Sequence, residues 1–519
     1  MSKFSKLSGV LGRRGTTTSP IKAVDSDITH EGGEGFRRDA KSELFLLAVT
    51  NFVSEDTFYE SASERDARFR DLVATVTRSD PDWMARFIPW LRNTAQMRSA
   101  SIVAAVEYVR AGGPNGRRVV ASALARADEP AEVLAYWTLR YGRSIPQPIK
   151  RGVADAAARL YTERAAVKYD GKSRAWRMAD VLELAHVRPA DERQSALFRW
   201  LLDRRHGRDD RDVPECLPVI RNFERLQAMP PDERRRALSP ELVKTSGMTW
   251  EAVSGWLGGP MDAEAWEAVI PSMGYMALLR NLRNFDEAGV SATVARQVAQ
   301  RLADPQEVAR SRQLPYRFLS AYKSVSSTRW LDALERGLTA AIRNVPAFDG
   351  RTLVLIDTSS SMTWQGYSKH SRVRPVDAAA LFGIALAVRG NAVDVVGFAN
   401  DTFRHTVRRG ASVLREVERF SARVGEVGHG TEIAHALASS YDRHDRVVIL
   451  TDMQTAPEVQ RVTDVVPRRV PVYGFNLNAY RTTVLDAGGA NRHEFGGLSD
   501  ATFTMLSLIE RGQAADWPF

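Results

Sequence analysis

The 519-residue chain has one cysteine, Cys216. That excludes an internal disulfide framework and any cysteine-based zinc cluster, and it suits a reducing, cytoplasmic setting. Long apolar runs are missing too. The longest are about half of the roughly 20 residues a membrane span requires, so no membrane helix is expected. Neither H-E-x-x-H nor G-x-S-x-G occurs, and the nine histidines form no ligand-spaced pair. The first 24 residues contain no acid, but they hold Lys3, Lys6, Arg13, Arg14 and Lys22 among Ser, Thr and Gly. No apolar segment accompanies these cations, so a secretory signal is rejected and residues 1–30 read as a basic flexible tail.

What is present describes an ordinary globular chain. Hydrophobic residues make up 44% and charged residues 26%, and the length suggests two to four domains. The net charge is +9, of which +8 falls in residues 1–350. A polyanionic partner is consistent with that asymmetry, because cations replace the counterions condensed on phosphate. A solvated arginine-rich surface has the same composition.

From about residue 40 to 345 the pattern is one short helix after another. Asp80-Pro81-Asp82 caps one of them ahead of WMARFIPWLR, and RSASIVAAVEYVRAGG ends another on paired glycines. No strand-like alternation interrupts the run. About fifteen short helices do not make a four-helix bundle, and stacked HEAT-like pairs are the natural packing. At Pro346-Ala-Phe-Asp-Gly350 the texture changes. Apolar strands at 352–356, 392–398, 446–451 and 470–477 alternate with helices from Pro375, at 412–420, at 431–440 and near 499–511. Such alternation predicts a doubly wound α/β domain with a parallel sheet covered on both faces. Ligands of these sheets bind beyond the carboxyl ends of the strands.

A set of oxygen donors falls at those ends. Asp357-Thr358-Ser359-Ser360-Ser361 follows the first strand as D-x-S-x-S, Gly430-Thr431 opens a helix, and Thr451-Asp452 ends another strand. Asp357, Ser359, Ser361, Thr431 and Asp452 suit a hard cation such as Mg²⁺, which takes oxygen ligands and keeps several waters. An acidic group from a partner could complete the shell. A D-x-S-x-S turn on its own is often only a cap; three loops at three expected places argue for a site. The constellation resembles the von Willebrand factor A domain with its metal-ion-dependent adhesion site, over residues 350–519. The resemblance implies Mg²⁺ and a carboxylate-bearing protein ligand.

The helical part before it has its own likeness. EGGEGFRRDAKSELFLLAVTNF (31–52), MGYMALLRNLRNFDEAGV (273–290) and LPYRFLSAYKSV (314–325) resemble segments of the TROVE-domain proteins, the Ro autoantigen family and its bacterial relatives. The resemblance implies a helical ring over 31–345, closed by the A domain in a monomer. It further implies small non-coding Y-like RNA on a basic outer surface and single-stranded 3′ ends of misfolded RNA in the central hole, for RNA quality control. For bacterial members it implies polynucleotide phosphorylase tethered through the RNA.

Residue by residue, Lys168 matches the Lys of the family's Lys-Tyr pair, Lys172 or Arg174 a following basic residue, and His186 a histidine near the end of the next helix. The intervening loop differs in length and contains Asp170. From the residues alone, Lys168, Lys172, Arg174 and Arg177 put four cations within ten positions, enough for about three or four phosphate contacts. Trp176 either stacks on a base or enters the core. In the segment around Arg280, Leu278, Leu279, Leu282 and Phe285 share one helix face, and Arg280, Arg283 and Asn284 the opposite one. The second face either grips phosphates or is simply solvated. Asp170-Gly171-Lys172-Ser173 is not a P-loop, since Ala166 stands where the first glycine belongs. The expectation is therefore a non-catalytic RNA-binding ring. The alternatives are a metal-dependent protein-interaction scaffold and a metal-dependent nuclease whose site is not apparent.

Overall fold

The computed structural model describes all residues except 1–16, 51–55, 209–211, 344, 346, 365, 367–370, 409, 498–504, 507–508 and 512–515. Between Ala40 and Ala341 the described residues form twenty α-helices, two short 3-10 turns and no strand. Their brevity follows from the caps. Asp80 accepts the Trp83 amide while Pro81 opens the helix Pro81–Asn93. Ser239 with Pro240, and Asp304 with Pro305, start two more helices in the same way. A capping box between Ser61 and Glu64 heads Ala62–Ser79, the longest of them. Helix Gln147–Leu160 crosses helix Gly116–Ser122 at Gly152, where a Cβ would lie 2.7 Å from both Arg117 O and Val120 Cβ.

These helices bury two apolar cores. One gathers the helices up to residue 220, from Leu44 through Phe87 and Val153 to Ile220. The other begins at Phe223 and continues through Leu278 and Trp330 into the sheet at Val354, Leu450 and Phe475.

The strands, in chain order, are β1 Ala23–Ile28, β2 Glu34–Arg38, β3 Arg351–Asp357, β4 Ala392–Phe398, β5 Thr402–His405, β6 Arg446–Thr451, β7 Val472–Asn476, β8 Thr482–Thr483 and β9 Arg492–Gly496. Six form one sheet in the order β5-β4-β3-β6-β7-β9, parallel except for β5. The expected α/β architecture is therefore present, with β4 and β6 at their expected bounds. The chain leaves β3 toward β4 on one side and returns to β6 on the other. The strand order thus switches at the carboxyl end of β3, where Asp357 stands. Only the end of the helix expected near 499–511, and not Pro346 of the expected linker, lies among the described residues.

Both ends of the helical array are fastened to this sheet domain, which closes a ring. At the far end, helices Pro315–Tyr322 and Leu331–Ala341 pack on Pro375–Arg389 and Val413–Ser421. Glu335 accepts the Ser412 hydroxyl at 2.5 Å and the Val413 amide at 2.8 Å, putting a carboxylate at that helix's N-terminus. At the near end, helix Ala40–Thr50 packs on β9, and Trp517 and Phe519 wedge among Phe45, Trp83, Phe87 and Trp90.

The segment before that first helix corrects one expectation. Residues 17–30 are not a free tail. β1 and β2 pair antiparallel, β2 pairs with β8, and Thr17 is bonded to Asn491 through both backbone and side chain. Arg38 anchors the hairpin with two bonds of 2.7 and 2.6 Å to Glu494, both side chains essentially inaccessible at 1% and 0%.

Candidate metal centre and nucleic-acid interface

Three loops bring the five oxygen donors together at the switch point. The Ser359 amide donates to one Asp357 oxygen at 2.8 Å and the Thr451 hydroxyl to the other at 2.5 Å, which fixes the carboxylate. The Ser359 and Ser361 hydroxyls are 3.2 Å apart. Asn400 shapes the second loop: its side-chain oxygen accepts the His429 and Gly430 amides at 3.0 and 2.9 Å, just before Thr431. The Ser360 amide ties the first loop to this one through His429 O at 3.0 Å. Asp452 accepts the Gln454 amide through one oxygen, at 3.2 Å, while its other oxygen, Oδ2, is buried with no partner.

All of these groups are out of water: Asp357, Ser359, Thr431 and Asp452 are 0% exposed and Ser361 4%. Burial pushes both carboxyls above the usual aspartate range. For Asp452 the neighbouring Asp357 charge adds to that push, while hydrogen bonds from Ser359 and Thr451 pull Asp357 partly back. A pair of buried carboxylates with one orphaned oxygen, ringed by hydroxyls, is a donor set that a hard divalent cation would satisfy. No group of three or more His, Cys, Asp or Glu suited to a metal occurs among the described residues, so the fit rests on two carboxylates and three hydroxyls.

A further residue reaches this place unforeseen. Glu31, in the turn between β1 and β2, accepts the Thr431 hydroxyl at 2.9 Å and the Tyr59 hydroxyl at 2.5 Å. Its charge also bears on both Asp357 and Asp452. The available signal was an acid beside paired glycines in Glu31-Gly32-Gly33, between two segments short enough to be strands.

The expected outer cluster divides in two. Lys168, Lys172, Arg174 and His186 are exposed. Lys168 lies 5.1 Å over the Tyr169 ring, and His186 ends helix Met178–Ala185 in a left-handed conformation. Arg177 is a correction. It is 5% exposed and pairs with fully buried Asp170 at 2.6 Å, so it holds the loop together instead of facing a phosphate. Asp170 also accepts the Met178 amide and Arg204. The acid that seemed out of place in this loop is its organising centre. Trp176 is half-buried against the first core.

In helix Tyr275–Glu287, Leu278, Leu279, Leu282 and Phe285 are buried as expected, while Arg280 and Arg283 are exposed. Arg280, Arg283 and Asn284 line a cavity of about 610 Å³ together with Arg317 and Arg372. Its described lining thus holds four arginines and no carboxylate. Arg283 is partly neutralised by Glu287 at 3.4 Å, and Asn284 donates to buried Asn281 at 2.8 Å. The helical pattern pointed to the face on this helix. Arg317 and Arg372 come from segments far along the chain, and nothing in either segment alone marks them.

A TROVE domain model matches residues 244–331. The chain is 27% identical over 397 residues to the RNA-binding protein RO60 of Deinococcus radiodurans, covering 71% of this chain and 72% of that protein. It is 40% identical over 79 residues to telomerase protein component 1 of Mus musculus, spanning 15% of this chain and 3% of that one. The fold matches the crystal structure of the Deinococcus radiodurans RO (RSR) protein with a TM-score of 0.64 and 20% identity, over 92% of this chain and all of that one. No helix among the described residues is long and apolar enough to cross a membrane.

Proposed function

We propose that this chain, with its TROVE match and its likeness to the bacterial Ro protein, is a non-catalytic RNA-binding ring. The observation that carries this reading is the four-arginine cavity beside helix Tyr275–Glu287. A concave site with several guanidinium groups and no carboxylate suits phosphates, which arginine binds through paired N–H groups. Four guanidinium groups around one cavity suit the phosphates of a single strand, and the resemblance to the Ro family makes an unpaired 3′ end of a misfolded RNA the ligand of this reading. Lys168, Lys172, Arg174 and His186, all exposed, supply the second surface, for a folded Y-like RNA. A 3′ exonuclease such as polynucleotide phosphorylase would then be tethered through that RNA.

The buried donor set at the end of β3 would hold Mg²⁺ through Asp357, Ser359, Ser361, Thr431 and Asp452. The ion would supply charge compensation for two carboxylates that otherwise repel each other, which joins three loops into one rigid corner. This is a structural part in the present reading; no reaction step is assigned to it.

The test is to isolate RNA that copurifies with the protein from its native host, sequence it, and measure binding of a short single-stranded RNA and a matched hairpin by fluorescence anisotropy. Recovery of small structured RNA, with the single strand weakened by Arg280→Ala and the hairpin by Lys168→Ala, supports the reading. Preparations free of nucleic acid, with neither probe bound, would overturn it.

A further inference from the structure

The adhesion-type site of a sheet domain ordinarily opens outward, so that a partner's acid can complete the shell around the cation. Here the place is taken. The hairpin turn Thr29–Gly33 lies on the Asp452–Ala456 loop. The Thr29 hydroxyl donates to Thr455 O at 2.6 Å, the His30 amide to Gln454 Oε1 at 2.8 Å, and the Gly33 amide to Thr455 O at 3.0 Å. The seat is close: a Cβ on Gly33 would stand 2.5 Å from both the Thr455 and Ala456 carbonyl oxygens. Between these contacts Glu31 points at Thr431, and Tyr59 holds it there from the helical side. The Tyr59 ring in turn stacks on His30 at 5.0 Å and meets Tyr480 edge-on at 5.2 Å.

We propose that Glu31 is the resident acid of this site, held on the Thr431 hydroxyl at the side where a foreign carboxylate would approach, so that the bound ion, through Thr431, clasps the N-terminal hairpin to the sheet domain. The proposal rests on the divalent-ion reading above. Two observations carry it independently of the motif. First, the donors are buried, and the hairpin turn that carries Glu31 is bonded directly to the loop that follows Asp452. Second, Asp452 Oδ2 is buried with no partner, which marks the side of the site where a positive charge is still wanted. Thr431 Oγ1 donates to Glu31 Oε1 at 2.9 Å, which places the Glu31 carboxylate directly behind one of the five donors. The scaffold alternative, in which this site captures a partner's carboxylate, loses its open position.

The experiment uses the full chain and Mn²⁺ as a spectroscopically visible substitute for Mg²⁺. Affinity is read by electron paramagnetic resonance of free Mn²⁺, and hairpin closure by hydrogen exchange of residues 23–38 with and without the ion. Glu31→Gln keeps the shape and the hydrogen bonds from Thr431 and Tyr59, and its melting curve in EDTA checks that it folds. Expected are a fall in Mn²⁺ affinity of at least about tenfold, the scale seen even for residues behind a ligand, and loss of the ion-dependent protection of the hairpin. In Glu31→Ala, 50–100 mM acetate (roughly the concentration a weak monodentate ligand requires) should restore part of the affinity, and it should have no effect on the parent. If the parent binds Mn²⁺ through Asp452 and Glu31→Gln binds it equally well, the clasp is wrong and the metal reading survives. If the parent binds no Mn²⁺, both are wrong.

Discussion

The Arg38–Glu494 pair gives the sharpest test of how the ring is held shut. Arg38 makes two bonds to the Glu494 carboxylate and two more, at 2.7 and 3.0 Å, to the carbonyls of Tyr480 and Arg481. Glu494 keeps one other donor, Asn476 Nδ2 at 2.8 Å. In Arg38→Ala the carboxylate stays buried with that single donor, a situation that costs about 3–5 kcal/mol. The loss falls on the hairpin, because Arg38 ends β2 and Glu494 sits in β9. If the hairpin opens locally in the parent, its opening becomes more favourable by the same amount. Amide exchange of residues 23–38 should then rise by about two to three and a half powers of ten, with helices beyond residue 220 unchanged. Exchange followed by mass spectrometry on peptides reads this directly. The companion variant Arg38→Met with Glu494→Leu removes both charges and should recover most of the protection, since apolar replacements of a buried pair are often neutral. A rise of less than tenfold in Arg38→Ala, or failure of the double variant to recover, would refute the argument that a desolvated ion pair latches the hairpin.

Further outcomes follow from the same geometry. Lys168, Lys172 and Arg174 replaced together by Ala should reduce the log–log salt slope of structured-RNA binding by about 2 to 3, at about 0.7 per lost contact in single-stranded parts and about 0.9 in duplex. Arg177→Ala should leave that slope alone and lower the melting temperature instead, because it strips a partner from buried Asp170. Arg280→Ala combined with Arg317→Ala should weaken a short single-stranded RNA at least about tenfold in anisotropy titrations, the scale of a lost charged hydrogen bond, and leave a hairpin RNA unaffected. His493 supplies a pH test. Burial, with the Arg492 charge behind it, lowers its imidazole to about 4. A histidine lowered in the folded state contributes stability that is present above the unfolded value near 6.5 and lost as pH falls toward 4. The loss at pH 4 is roughly 3 kcal/mol. Denaturation series at pH 7 and 4 should show it, and His493→Phe, which keeps the ring on Tyr473, should flatten the difference.

The sequence carried the architecture wherever apolar period and punctuation agreed. Strands such as Arg446–Thr451 are β-branched and leucine runs after their first residue, and helices such as Pro375–Arg389 begin on a proline, which suits a first turn. The donors Asp357, Ser359 and Ser361 were legible because one loop carries all three. The hairpin was not, because Ala23–Ile28 and Glu34–Arg38 are polar and half-exposed and are strands only by virtue of each other and of Thr482–Thr483, far along the chain. β9 was hidden for a related reason. Arg492, His493 and Glu494 are buried through specific partners, and no hydropathy pattern announces a buried charge. The same gap put Arg177 on the surface: counting cations along ten residues does not show which of them an acid such as Asp170 has drawn inward.

The two cores have a practical consequence. One gathers the helices up to about residue 220, with Ala479, Ala487, Trp517 and Phe519 packed in from the sheet domain; the other takes in the helices from 223 onward and one face of the sheet, whose opposite face has a core of its own. A polypeptide severed between the helix ending at Arg205 and the one beginning at Pro218 would yield two fragments, each with most of an interior of its own. They would still grip one another through β2 on β8, Arg38 on Glu494 and the aromatic wedge of Trp517 and Phe519. Co-expressed halves should therefore reassemble, which makes this molecule a candidate for a split reporter in which joining the pieces restores an RNA-gripping whole.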